Sequence, residues 1–155
     1  VEGDGLRVHR DLNLGGAVVL DHEGLIVPVI RQVDGLRMRA LARKVDDFAK
    51  RSRSRKLGVV DYSGGTFTMS NNGSFGTYTT LALINQPQVA VLSTDGVSRR
   101  PVVVTDGLGN ESIAIHSVGN LAMGWDHRAF DGGYAAVFLV QVKQILQTRD
   151  WETEI

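Results

Sequence analysis

The 155-residue sequence contains no cysteine. This absence excludes disulfide bonds, thiolate-ligated zinc or iron–sulfur centres, and a cysteine nucleophile. If the protein acts on thiols, those thiols belong to its substrates and not to its own side chains.

The sequence also lacks an excess of charge of either sign and any long apolar run. Seventeen basic and seventeen acidic residues give a formal net charge of zero, so no global attraction to nucleic acid or to anionic membranes is expected. No run approaches the roughly 18 apolar residues of a membrane-spanning helix, and the start, VEGDGLRVHRDL, does not resemble a secretory signal. We therefore predict a cytoplasmic protein that binds neither nucleic acid nor membrane.

Two segments have the periodicity of amphipathic helices. Apolar residues recur at spacings of three and four between residues 36 and 54 and again between 134 and 148. Short β-branched runs predict strands, with turn residues between them; they lie at 16–20, 25–30, 66–70, 88–94, 101–105, 112–118 and 120–125. This order predicts a single α+β domain in which a mixed or largely antiparallel sheet is covered by helices on one side.

The segment WDHRAFDGG contains the most reactive group of side chains. His127 lies between a predicted strand and the last helix, with Asp126, Arg128 and Asp131 close in sequence. A histidine side chain can accept a proton at neutral pH, and neighbouring groups can fix the ring nitrogen that does so. The sequence leaves two interpretations open: a general base, or an ion-paired turn with a structural role.

Other kinds of site have less support. The four histidines lack the paired spacing of a metal site, and Arg128 between Asp126 and Asp131 opposes cation binding, so we predict no metal. Ser70 ends a predicted strand just before the turn-forming Asn71-Asn72-Gly73, but no G-x-S-x-G elbow surrounds it. A basic segment from Arg37 to Lys56 fits either a solvated helix face or a contact with an anionic ligand or an acidic partner.

Five motifs in order resemble one family, the catalytic domain of the dihydrolipoamide acyltransferase components of 2-oxoacid dehydrogenase complexes. The motifs are GLIVPVI (24–30), GGTFTMSNNGSFGT (64–77), INQPQVAVL (84–92), RRPVVV (99–104) and DHRAFDG (126–132). The resemblance implies a chloramphenicol acetyltransferase-like sandwich and transfer of an acyl group between a dihydrolipoyl thiol and coenzyme A. Acetyl or branched-chain acyl groups are favoured over succinyl.

The resemblance also implies roles for individual residues. His127 matches the family's general base, and Ser70 matches the hydroxyl that stabilises the tetrahedral oxyanion. Asp131 matches an aspartate that helps to hold the histidine loop, whereas Asp126 and Arg128 fit supporting ion-pair positions. Asn71, beside Ser70, is a further supporting residue.

In the family the histidine and the serine come from neighbouring subunits of a trimer, and trimers join into cubic or dodecahedral cores. The resemblance therefore implies a homotrimer that works with the decarboxylase and dihydrolipoamide dehydrogenase components. We expect a single catalytic domain, residues 1–155, that lacks the family's first helices and both the lipoyl and subunit-binding domains, so the lipoyl group arrives on a separate domain. Two alternatives stay open: a non-catalytic core or scaffold subunit of the same complex and, with weaker support, an antibiotic acetyltransferase.

Overall fold

A computed structural model describes residues 1, 3, 5–20 and 24–154. Within these ranges the chain forms nine strands and two α-helices, joined by loops and short 3₁₀ turns. The elements are β1 (Leu14–Gly16), β2 (Val18–Leu20), β3 (Gly24–Ile26), β4 (Val29–Ile30), α1 (Met38–Arg53), β5 (Phe67–Asn71), β6 (Ala90–Thr94), β7 (Ser98–Thr105), β8 (Glu111–Val118), β9 (Leu121–Trp125) and α2 (Gly132–Thr148).

Five of the strands form a mixed sheet in the order β4-β1-β5-β6-β9. The central pairs β1–β5 and β5–β6 are parallel, whereas the outer pairs β1–β4 and β6–β9 are antiparallel. Strand β6 is buried along most of its length, as its apolar sequence AVLST predicts for a strand covered on both faces. The α+β class and the mixed sheet predicted from the sequence are confirmed.

Helix α2 packs against the sheet near its β9 edge. Its Ala135 is 2% exposed and joins a buried cluster with three residues of the neighbouring strands, Ala90, Leu92 and Met123. Burial of such apolar side chains supplies most of the free energy that holds the helix on the sheet. The start of α2, and the turn that precedes it, are thereby fixed relative to β9.

The first predicted strand pair differs from the observed structure. The two runs at 16–20 and 25–30 form four short strands, because the chain changes partners at Ala17 and again at Val27–Pro28. β2 pairs only with β3, while β1 and β4 enter the five-stranded sheet. The predicted turn between the two runs falls at residues 21–24, of which residues 21–23 lie outside the described residues.

Helix α1 and the second hairpin agree with the sequence patterns. The helix predicted over 36–54 spans Met38–Arg53 and contacts β2 of the small two-stranded sheet. β7 and β8 form a separate antiparallel pair around the predicted turn at 106–110, where the Asp106 carboxylate accepts two backbone N–H bonds. Among the described residues no helix is long and apolar enough to cross a membrane.

Candidate active site

His127 lies on the turn, residues 126–131, that joins β9 to α2; we call this segment the His127 turn. Its imidazole is exposed and contacts the indole of Trp125, with ring centroids 4.8 Å apart and planes inclined by 49°. Within the described part of the chain the imidazole makes no hydrogen bond. The side chain of His127, the candidate general base, is therefore held only by its backbone and by one aromatic contact among the described residues, and it faces outward.

The backbone of the His127 turn is fixed by its neighbours. The Asp126 N–H donates to the Val89 carbonyl over 2.8 Å. The Asp126 carboxylate accepts from the Arg128 guanidinium, at 2.7 Å from Nη2 and 3.0 Å from Nε, and from the Arg128 backbone N–H at 2.9 Å. The hydrogen bonds from Arg128, first that of its side chain and then that of its backbone N–H, lower the pKa of Asp126 from 3.8 to about 2. Asp126 and Arg128 therefore form an ion pair with each other, and this pair holds the turn on either side of His127.

Asp131 caps helix α2. Its backbone is extended, with φ −86° and ψ 174°, and its Oδ1 accepts from the Tyr134 N–H over 2.8 Å. This is the geometry of an N-cap, in which a carboxylate satisfies an otherwise unpaired helix N–H group. In the structure the side chain of Asp131 therefore fixes the junction between the His127 turn and α2.

Ser70 lies near the carboxyl end of β5, at the strand ends opposite to those beside the His127 turn. We call residues 70–80, which run from the end of β5 into the following loop, the Ser70 loop. The side chain is half-buried, and the amide Nδ2 of Asn72 lies 3.3 Å from its Oγ. Asn71 faces elsewhere, since its Oδ1 accepts from the Gly73 N–H over 3.0 Å. Asn71 was predicted as the supporting residue beside Ser70; in the structure the side chain that contacts Ser70 is that of Asn72.

A buried carboxylate that was not predicted from the sequence, that of Asp95, organises the rest of the Ser70 loop. Asp95 is 5% exposed and accepts from the hydroxyls of Thr77 and Thr80, each over 2.7 Å, and from the Thr80 N–H over 3.1 Å. The hydrogen bond from Thr77 lowers the pKa of Asp95 most, and that from Thr80 follows. No local sequence signal marks this role, because the threonines lie 15 and 18 residues away.

Within one chain Ser70 and His127 do not meet. Ser70 is in register with Ser93 of β6, which is in register with Ala122 of β9. The chain leaves β9 three residues later, after Trp125. At ordinary strand dimensions this places Trp125 about 10 Å from Ser70 along the strands and about 10 Å across them, and His127 lies beyond Trp125. The two candidate side chains occupy opposite ends of the sheet.

Two further features bear on the sequence predictions. Among the described residues no group of three or more His, Cys, Asp or Glu side chains could hold a metal ion. A surface cavity of about 400 Å³ is lined by Arg37, Arg39, Thr153 and Glu154. It lies at the start of the basic segment, and neither His127 nor Ser70 is among these lining residues.

Comparisons with known sequences and with solved structures identify the same family. The family described as 2-oxoacid dehydrogenases acyltransferase (catalytic domain) matches residues 1–152. A curated relative, the lipoamide acyltransferase component of the branched-chain alpha-keto acid dehydrogenase complex of Bacillus subtilis, is 38% identical over 153 residues. The match covers 99% of this chain but only 35% of the relative, so the chain spans about a third of that protein's length.

Two solved structures share the fold. The dihydrolipoamide acetyltransferase of Azotobacter vinelandii, whose catalytic mechanism was investigated through a serine, a histidine and an asparagine, has a TM-score of 0.82 and 31% identity. The cubic core of a pyruvate dehydrogenase multienzyme complex also gives a TM-score of 0.82, with 32% identity. Each match covers 90% of this chain and 55% of the solved chain.

Proposed function

Because this chain belongs to the family of 2-oxoacid dehydrogenase acyltransferase catalytic domains, we propose that it transfers an acyl group between the thiol of dihydrolipoamide and coenzyme A. The observation that carries the proposal is the placement of His127. Its imidazole is exposed at the end of a sheet strand, on a turn that the Asp126–Arg128 pair and the Asp131 cap hold in place. An accessible base on a rigid support suits proton transfer to and from a thiol.

The proposed reaction needs a base and an oxyanion donor. His127 accepts the proton of the attacking coenzyme A thiol, and the resulting thiolate adds to the carbonyl carbon of the acyl-dihydrolipoamide thioester. Ser70 donates a hydrogen bond to the oxyanion that forms. When the tetrahedral species collapses, the bond to the lipoyl sulfur breaks, and the His127 imidazolium returns the proton to that sulfur. The acyl group passes directly between substrates, in keeping with a chain that has no cysteine.

The site is proposed to form between two copies of the chain. Ser70 and His127 lie at opposite ends of one sheet, so a base and a donor that act on one carbonyl must come from different subunits. Exposed apolar side chains supply surface for such contacts; on the β7–β8 pair alone they include Val103, Ile113 and Ile115. We propose a homotrimer that is part of a cubic or dodecahedral core, and the cubic-core relative supports this assembly.

Substrate and partners follow from the family. Acetyl and branched-chain acyl groups are the proposed cargo, as the motifs NNGSFG and INQPQVAVL favour. Succinyltransferases are among the relatives as well as branched-chain and acetyl enzymes, so the preference rests on these motifs and not on overall identity. The decarboxylase and dihydrolipoamide dehydrogenase components are the proposed partners. A cytoplasmic location stays a prediction of the sequence.

The experiment that tests the proposal compares two histidine variants. Acyl transfer is measured with dihydrolipoamide and acetyl-, isobutyryl- or succinyl-coenzyme A, and sedimentation reports the assembly state. His127→Ala should lower kcat by roughly 10²- to 10⁴-fold, the usual contribution of a general base. His116→Ala, which removes an exposed histidine on β8, should leave the rate unchanged.

A wild-type rate in His127→Ala would contradict the role of His127. Transfer that is absent from an assembled wild-type protein would instead support the alternative, a non-catalytic core subunit. The ranking of the three acyl groups tests substrate preference separately, and a succinyl preference would overturn that part of the proposal.

A further inference from the structure

The hydroxyl of Ser70 has one hydrogen, and the β5 backbone alone does not determine where that hydrogen points. Donation to an oxyanion requires the hydrogen to be directed at the substrate before charge develops there. A neighbour that binds the hydroxyl oxygen as a donor leaves this hydrogen free, whereas a neighbour that accepts would withdraw it. The contact partner of Ser70 therefore decides whether the hydroxyl can serve the reaction.

We propose that Asn72 is the positioning residue that orients the Ser70 hydroxyl. Its amide Nδ2 lies 3.3 Å from Ser70 Oγ and donates to it. An amide nitrogen offers hydrogens but no acceptor, so this contact fixes the serine oxygen and leaves the serine hydrogen for the substrate. The inference rests on the proposed function, in which Ser70 stabilises the oxyanion.

The backbone of Asn72 is anchored on both sides. Its N–H donates to the Thr94 carbonyl at the end of β6 over 2.9 Å. Its carbonyl accepts from the Phe75 N–H over 3.0 Å and from the Thr77 hydroxyl over 3.0 Å. The amide group therefore starts from a fixed position, and little conformational entropy is lost when it engages Ser70.

Asp95 extends this anchoring into the interior. Its buried carboxylate shares the Thr77 hydroxyl hydrogen with the Asn72 carbonyl. The loop is also packed closely against Asp95 at Gly73, where a Cβ atom would lie 3.1 Å from the Asp95 carbonyl oxygen. A continuous series of contacts thus leads from the buried Asp95 through Thr77 and Asn72 to the Ser70 hydroxyl.

Asn71 is the obvious competitor for this role, since it directly follows Ser70. Its side-chain oxygen is already used by the Gly73 N–H, which closes an Asx turn. Asn72 lies just beyond the end of β5, and its amide is the one that reaches Ser70 Oγ, at 3.3 Å. Among the described residues, the observed contact to the Ser70 hydroxyl therefore selects Asn72.

A double-mutant cycle tests the proposal. Asn72→Leu keeps the number and branching of the side-chain heavy atoms but removes the donor, and it should lower kcat roughly tenfold, the upper part of the range for one hydrogen bond. KM should stay unchanged, because the oxyanion exists only beyond the ground state. In a Ser70→Ala background the same substitution should have no further effect, since the hydroxyl that Asn72 orients is gone.

Asn72→Asp provides a second variant of nearly the same shape. It places only oxygen atoms opposite Ser70, so the serine donates to residue 72 and its hydrogen is lost to the substrate. Its kcat should fall below that of Asn72→Leu, and this excess loss should also disappear in the Ser70→Ala background. A loss of kcat caused only by repulsion between the added carboxylate and the oxyanion would persist in the Ser70→Ala background. Asn110→Leu, the same change at the exposed turn of the β7–β8 pair, is the control and should retain the wild-type kcat.

Several results would overturn the proposal. A tenfold loss from Asn72→Leu that recurs undiminished in the Ser70→Ala background would show that Asn72 acts independently of the hydroxyl. A raised KM with unchanged kcat would indicate a substrate contact instead. If Ser70→Ala alone had the wild-type kcat, the proposed role of Ser70 would fail, which is a separate result. Should Asn72→Leu not fold, Asn72→Asp in the two backgrounds decides the question alone.

Discussion

The Ser70 loop and the His127 turn lie at opposite ends of one sheet and are built differently. In the Ser70 loop, the Thr94 carbonyl at the end of β6 and the Asp95 carboxylate accept hydrogen bonds from residues around the serine, and Asn72 donates to the serine oxygen itself. In the His127 turn, Asp126 and Asp131 fix the backbone while the imidazole faces outward. One chain thus orients its donor internally and presents its base to the outside, in keeping with the proposed site between two subunits.

Among the residues that hold the His127 turn, Asp131 is expected to contribute most to stability. Asp131→Ala removes the N-cap of α2 and should lower the free energy of unfolding by about 1 kcal/mol, which corresponds to about 2–4 °C in Tm for a domain of this size. Asp131→Asn retains a capping oxygen and should keep both the stability and the kcat of the wild type. Thermal unfolding and the acyl-transfer assay measure the two quantities. If Asp131→Asn kept its Tm but lost activity, the carboxylate charge would act on His127 and not only on the helix.

A smaller effect is expected from the ion pair beside His127. The folded-state pKa of Asp126, about 2, lies below the ordinary 3.8. Its contribution to stability is therefore present above pH 4 and is lost as the pH falls from about 4 to about 2. The Tm of Asp126→Asn should decline less than that of the wild type over this interval, and added salt should reduce the difference, because the Arg128 side chain is 72% exposed. Identical acid profiles for the two proteins would contradict this role of Asp126.

Local sequence patterns predicted the parts of the fold that local forces determine. Helix α1 lies within a residue or two of its predicted bounds, because a single stripe of apolar side chains defines its period. The β7–β8 pair was predicted for a similar reason, since the Asp106 turn closes it locally. Non-local pairing was not predictable in this way. The division between β1 and β2 depends on β5, about fifty residues further along the chain.

The candidate site shows the same limit. The motifs select His127 and Ser70, and the family resemblance implies that the two come from different subunits. How far apart they lie within one chain depends on the strand order, which the order of the motifs does not give. Asn72 had no clear signal either, because it lies just beyond the end of β5 and only the folded loop brings its amide to Ser70. Asp95 had no such signal, and its part in the Ser70 loop depends on threonines brought to it by the fold.

The central claim, that the base of one copy works with the donor of another, is tested most directly by mixing two impaired variants. Ser70→Ala alone should lower kcat by roughly 10²- to 10³-fold, as removal of an oxyanion donor does, and His127→Ala should be at least as impaired. When equal amounts are co-assembled at random, about one interface in four receives an intact histidine and an intact serine, so about a quarter of the wild-type activity should return. Mixed assemblies whose activity stays at the sum of the two variants would contradict a site shared between subunits.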